Sequence, residues 1–190
     1  MVAIMCRGRL QKAIVDGGLP WTAASRRPRS SGPKRLGSWA ASLADESNVV
    51  AINERTYLTL VVCLHPVESF RERFVDSLRA ALLDLGVPGD AVEAECVALR
   101  QAPFVRLRNP ELAESLGFAE IEAGAHVGEG QDALSVQDML NTYPYAGCGA
   151  SCPAEAVSLL FGVSNVSNAG ERRPADTGDP ACAASSGRTP

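Results

Sequence analysis

Aromatic residues make up only 5% of this 190-residue chain, and histidine occurs twice, at His65 and His126. With 46% apolar residues a core can form, but Ala, Val and Leu must fill most of it. No apolar run approaches the length of a membrane-spanning helix, so a membrane partner is not expected. No glycine-rich run precedes a helix opening with Lys-Ser/Thr, which excludes a phosphate loop of that kind. There is no internal repeat. The first residues, MVAIMCRGRLQKAI, place charges inside their apolar stretch and do not read as a secretory signal. These points lead us to expect a cytoplasmic protein whose six cysteines are reduced thiols rather than a disulfide framework.

The net charge of −4 is unevenly spread. Residues 1–38 carry eight Lys/Arg against the single acid Asp16, whereas residues 39–190 carry ten basic and twenty-one acidic residues. Arg26, Arg27, Arg29, Lys34 and Arg35 form the densest basic segment, and nucleic acid is one partner such a segment can contact. No aromatic or helical groove-reader accompanies these charges. The segment therefore reads first as a solvated basic loop lying against the chain's own acidic face, with nucleic-acid contact second.

Val2–Cys6 reads as a short strand and Leu10–Val15 as a short helix stopped by Gly17, Gly18 and Pro20. Residues 22–38 are rich in Ser, Pro, Gly and Arg and read as a flexible loop, with Trp39 re-entering the core. Asn48–Asn53 and Thr56–Leu64 are the clearest strands, joined as an antiparallel hairpin by Asn53-Glu54-Arg55. Leu58, Leu60, Val62 and Leu64 point to one side of it, and Tyr57, Thr59, Val61 and Cys63 to the other. Pro66 opens a long helix whose apolar face is Phe70, Phe74, Leu78, Leu82 and Leu85. Gly86 ends it in the left-handed conformation and Pro88 forbids continuation. A second helix spans Asp90–Gln101, with capping-box spacing at Asp90 and Glu93 and an inner stripe of Val92, Cys96 and Leu99. Pro103–Arg108 reads as an edge strand, and Asn109-Pro110 as the start of a short helix ending near Gly117. The sequence loosens over Gly124–Gly130. Ser135–Asn141 and Pro153–Phe161 read as short helices, the second capped by Ser151 or Cys152 and ended by Gly162. Residues 163–190 read as a disordered tail.

Several of these segments together resemble a known family. Cys6 closes the first strand and Leu10–Ile14 follow as a helix. Trp39, Ala41, Ser42 and Leu43 make a Trp-x-Ala-polar-Leu motif leading into two strands. Phe104, Arg106, Asn109 and Ser115 follow the long helix. This pattern resembles a family of small bacterial proteins catalogued as a domain of unknown function, number 6933. The resemblance covers roughly residues 2–120 and implies an α+β fold with no established activity. Pro110, Glu114 and Gly117 depart from the Arg, Gly and Asn of the family's polar turn.

Candidate chemistry is sparse. Cys148 and Cys152, four residues apart, are the metal or redox candidates, with His126 and Cys182 as the other ligands at hand. His65 sits at a strand-to-helix junction, near Cys63 in sequence, where catalytic groups often lie. Glu93 and Glu95 fall on different helix faces, and Glu120 and Glu122 are expected to share a strand face as solvated charges. Arg79, Arg100, Arg106 and Arg108 form a basic patch if the edge strand and long helix adjoin.

The expectation is therefore an α+β domain: a small antiparallel sheet packed by one long amphipathic helix and shorter helices. Residues 1–21 supply a strand and helix, 22–38 a basic loop, 39–123 the core, 124–162 a helical extension and 163–190 the tail. The function expected is a protein-interaction or regulatory module with an unidentified protein partner, no cofactor and no catalytic residues. Its functional surface is expected at His65, Arg106 and Asn109. Nucleic-acid binding through residues 26–35, or an enzyme or metal site using His65 or Cys148 and Cys152, are the alternatives.

Overall fold

A computed structural model describes residues 2–22 and 35–163. The elements in chain order are β1 (Ile4–Cys6), α1 (Gly8–Asp16), β2 (Trp39–Leu43), β3 (Asn48–Asn53), β4 (Thr59–Cys63) and a 3₁₀ turn at Val67–Ser69. Then come α2 (Phe70–Asp84), α3 (Gly89–Arg100), β5 (Phe104–Arg106), α4 (Pro110–Gly128), α5 (Ala133–Leu140) and α6 (Pro153–Phe161). The class is α+β. The tail from residue 164 lies outside the described residues.

The five strands form one sheet in the order β4-β3-β2-β1-β5. It is mixed, a correction to the antiparallel sheet expected. The β2–β3 and β3–β4 pairs are antiparallel, but β1 runs parallel to both its neighbours, β2 and β5. The reason is connectivity. A parallel neighbour requires a crossover, and α1 supplies one between β1 and β2, while the chain that leaves β4 returns through α2 and α3 to enter β5.

Alternate residues of every strand serve two separate cores. Ile4, Cys6, Trp39, Ala41, Val49, Ala51, Leu60, Val62 and Phe104 face a core completed by α1, α2 and α3. Ala3, Met5, Ala40, Val50, Ile52, Val61 and Val105 face a second core completed by α4 and α5. Both faces are therefore covered, and β2 reads as a continuous buried run, WAASL. Its small residues give no β-branched signal, so the sequence shows only that Trp39 is in the core, not that a strand begins there.

The long helix buries Phe70, Phe74, Val75, Leu78, Ala81 and Leu82. Trp39 meets Phe74 edge-on with ring centroids 5.4 Å apart, and Phe70 lies between Phe74 and Phe104. At about 1.5–3 kcal/mol per large buried side chain, this face is the main support of one side of the sheet. Gly86 does adopt a left-handed φ of 73°. Pro66 precedes the 3₁₀ turn rather than sitting in the first α-turn, and the His65–Pro66 peptide is cis.

Other local expectations shift. Strand β4 begins at Thr59, because residues 54–58 make a wider turn held by Asn53, whose Oδ1 accepts from the N–H groups of Arg55 and Thr56. Pro88, not Asp90, is the N-cap of α3, and Glu93 turns outward to Arg79 at 3.0 Å instead of closing a capping box. The packed chain resumes before Trp39, with Leu36 and Ser38 fully buried. The largest correction is α4. It runs 19 residues through Gly117 and Gly124 instead of stopping at the first. At Gly124 a β-carbon would stand 2.8 Å from the carbonyl oxygen of Ala44, so this glycine marks a close approach between the helix and the turn after β2 rather than a break. Glu120 and Glu122 are consequently helical, not on a strand.

Both edges of the sheet are closed. At β5, Trp21 makes a parallel bridge to Phe104, and Thr22 N–H donates to the Phe104 carbonyl at 2.9 Å. At β4, α5 supplies side chains in place of a sixth strand. Asn141 Oδ1 accepts from Thr59 N–H and its Nδ2 donates to the Thr59 carbonyl, both at 2.8 Å, while Gln137 Oε1 accepts from Val61 N–H at 3.2 Å. Unpaired edges invite strand addition, and these side chains remove the invitation.

Candidate functional site

The sequence-derived surface of His65, Arg106 and Asn109 does not assemble. His65 follows β4 and Arg106 ends β5, and these are the two opposite edges of the sheet. Three strands stand between them, which separates the two by about 19 Å at the usual strand spacing. Asn109 is the N-cap of α4 beside Arg106, but its side chain makes no capping hydrogen bond. His65 is exposed, and its carbonyl accepts from the Cys63 thiol at 3.5 Å.

The thiols are spread through the fold. Cys6 is fully buried in the first core, and burial pushes its pKa up to about 12 despite the opposing field of Arg71. Burial likewise raises Cys96. Cys148 is buried, its Sγ 3.3 Å from the Thr56 carbonyl, and burial raises its pKa as well. These three are held as neutral thiols at pH 7, the opposite of what a nucleophile or metal ligand needs. Cys152 is half-buried at the N-cap of α6, where the neighbouring Ser151 N–H and hydroxyl bond Glu155. His126 is engaged on its own helix, 3.9 Å from Glu122 and 3.8 Å from Glu129, with Gln131 3.0 Å from its Nδ1. Cys182 lies outside the described residues. Among the described residues no three His, Cys, Asp or Glu side chains cluster in a way that could hold a metal.

Of the basic segment, Arg26, Arg27, Arg29 and Lys34 lie outside the described residues. Arg35 is described, and it is turned inward. Its Nε stands 2.6 Å from Glu95 Oε1 and its Nη2 donates to the Ala94 carbonyl at 2.7 Å. Its partner Glu95 is only 3% exposed. That pairing explains why α3 can bury an acid among Val92, Cys96 and Leu99. The arginine patch is also divided. Arg79 bonds Asp76 and Glu93, Arg100 lies 3.5 Å from Glu72, and Arg106 and Arg108 are exposed at and just after the end of β5.

Two features remain that the sequence reading missed. The first is the outward stripe of α4. Its inward stripe, Leu112, Leu116, Ala119 and Ala123, is fully packed. Yet Phe118 is 45% exposed and Ile121 71% exposed on the opposite side. Phe118 is held by rings, 5.6 Å from Tyr143 and 6.1 Å from Tyr145, and Tyr145 in turn lies 5.6 Å from Tyr57. Glu114 lies one turn before Phe118, Glu111 two turns before it and Glu122 one turn after it on the same side of the helix, so an apolar centre is rimmed by carboxylates. The signal was present in the spacing. Taking Gly117 as a helix end concealed that Phe118 and Ile121 fall opposite Leu112 and Leu116.

The second feature is a hollow of about 620 Å³ at the carboxyl ends of β1 and β5, lined by Arg7, Gln11, Lys12, Asp16, Arg106 and Leu107 among others. Arg7 is fixed there, donating to the Ala113 carbonyl at 3.0 Å and to Glu120 at 2.9 Å.

A family model described as Domain of unknown function (DUF6933) matches residues 4–155. No curated protein and no solved structure matches the chain.

Proposed function

Because the chain belongs to the DUF6933 family, whose description names no activity, we propose its function from its geometry: a non-catalytic module that binds a protein partner through the outward stripe of α4. The observation that carries this is Ile121, 71% exposed beside a ring-held Phe118 on a helix that has already filled its other face. Exposed apolar neighbours rimmed by polar residues mark binding surfaces where singly scattered ones do not, and Phe118 and Ile121, three positions apart on one helix, are such neighbours. The carboxylates of Glu111, Glu114 and Glu122 favour a partner segment with apolar anchors flanked by Lys or Arg. The closed sheet edges favour a side-chain surface over strand addition as the mode of contact. The raised thiols and the separation of His65 from Arg106 favour binding over catalysis.

The test is the substitution Ile121→Lys in cells that express the native gene. The surface position should leave the melting temperature unchanged, and a complex seen by size exclusion with the native chain should fall to the size of the chain alone. A complex that survives both Ile121→Lys and Phe118→Lys overturns the reading.

A further inference from the structure

We propose that the hollow at the carboxyl ends of β1 and β5 binds a small molecule carrying a phosphate group, held by Arg7, Lys12 and Arg106. This site is distinct from the α4 stripe and does not depend on it. The topology creates the space. Strands β1 and β5 are parallel neighbours, with Cys6 opposite Arg106. From Cys6 the chain passes into α1, which packs Leu10 and Ile14 into the first core. From Arg106 it passes into α4, which packs Leu112 and Leu116 into the second. The two connections therefore leave to opposite faces of the sheet, and the crevice between their departures is where sheets of parallel strands place ligands.

The side chains there have the right chemistry. Three cations come from three elements: Arg7 from the β1–α1 junction, Lys12 from within α1 and Arg106 from the end of β5. Asp16 is the one acid in the lining, and Glu120, outside it, pairs with Arg7 at 2.9 Å and offsets that charge, so Lys12 and Arg106 carry the uncompensated positive charge. Arg7 is oriented in advance by Ala113 and Glu120. Lys12 and Arg106 make no hydrogen bond or ion pair among the described residues, although the protein elsewhere pairs Arg35, Arg79 and Arg100 with acids. Two uncommitted cations beside a fixed guanidinium match the several acceptor oxygens of a phosphate monoester. The hollow, about 620 Å³, is open to solvent on one side, which suits a small ligand held mainly by its charged group, and Val15 and Leu107 give the lining an apolar part.

The test is a titration of the full chain followed by amide nuclear magnetic resonance at constant ionic strength, with three probes: inorganic phosphate, adenosine 5′-monophosphate and a single-stranded oligonucleotide. The expected result is saturable shifts from both small probes, confined to residues 8–12 and 106–107. They should weaken on the order of tenfold or more in Lys12→Gln/Arg106→Gln with the melting temperature unchanged. Shifts that fail to saturate, that lie elsewhere, or that persist in the double variant overturn the proposal. So does saturation by the oligonucleotide alone, which would make the region a nucleic-acid surface. Loss of these shifts leaves the Ile121 experiment unaffected, so the two readings fail separately.

Discussion

Glu95 shows how one side chain reconciles charge with burial. It sits among Val92, Cys96 and Leu99, accepts weakly from Leu36 N–H at 3.4 Å, and holds Arg35 at 2.6 Å. Burial raises its pKa from the usual 4.5, and the fields of Arg35 and Arg55 offset only part of that. An acid raised in the fold binds its proton more tightly folded than unfolded. Its contribution to stability is therefore complete below the unfolded pKa and is lost as pH rises through the folded one. Glu95→Gln should accordingly gain stability relative to the native chain as pH is raised from about 4 to about 7. Paired urea melts across that interval check this, and a difference that stays flat or falls contradicts it. Spacing alone separates Glu93 and Glu95 onto different faces. It does not reveal that the inward one has a partner from a segment sixty positions earlier, because long-range pairing leaves no local periodicity.

At the scale of elements, α2 and α4 show what periodicity reveals and what it hides. The α2 face was legible because Phe70, Phe74, Leu78 and Leu82 repeat without interruption and Gly86 and Pro88 end the pattern. Leu78 is 1% exposed in that face, so Leu78→Asp buries an unpaired charge and should cost on the order of 4–5 kcal/mol, abolishing the cooperative melt. A melt that is retained contradicts the packing. Helix α4 was only half legible, since Gly117 imitates a stop. Its two interior glycines should respond in opposite ways. At Gly117 the nearest atom to an added β-carbon is the Arg7 guanidinium at 3.7 Å, an ordinary contact distance, so Gly117→Ala should stabilise by up to about 1 kcal/mol through helix propensity. At Gly124 the obstacle is the Ala44 backbone oxygen at 2.8 Å, so Gly124→Ala should destabilise by about 1–3 kcal/mol. Thermal melts of the two variants decide this, and the same sign for both contradicts the account of that close approach. Strand β2 was hidden for a different reason: a central strand buried on both faces needs no alternation, and WAASL shows none.

For the whole molecule, the arrangement follows from covering one mixed sheet on both faces and closing both edges. Helices α1, α2 and α3 take one face and α4 and α5 the other. Trp21 seals one edge, and Gln137 with Asn141 seals the other. The candidate site residues chosen from sequence were scattered by this plan, because His65 and Arg106 belong to opposite edges and Arg35 is drawn inward. Among the large apolar side chains the plan leaves exposed, which include Leu134 and Leu159, Phe118 and Ile121 share the outward stripe of α4. The most direct test of that surface is a photo-crosslinking residue placed at position 121 in cells expressing the native gene, with position 12 as the control. The account expects one discrete adduct from position 121, absent from position 12, whose crosslinked peptide carries apolar residues flanked by Lys or Arg. No discrete adduct, the same adducts from both positions, or an adduct to a second copy of this chain would contradict it.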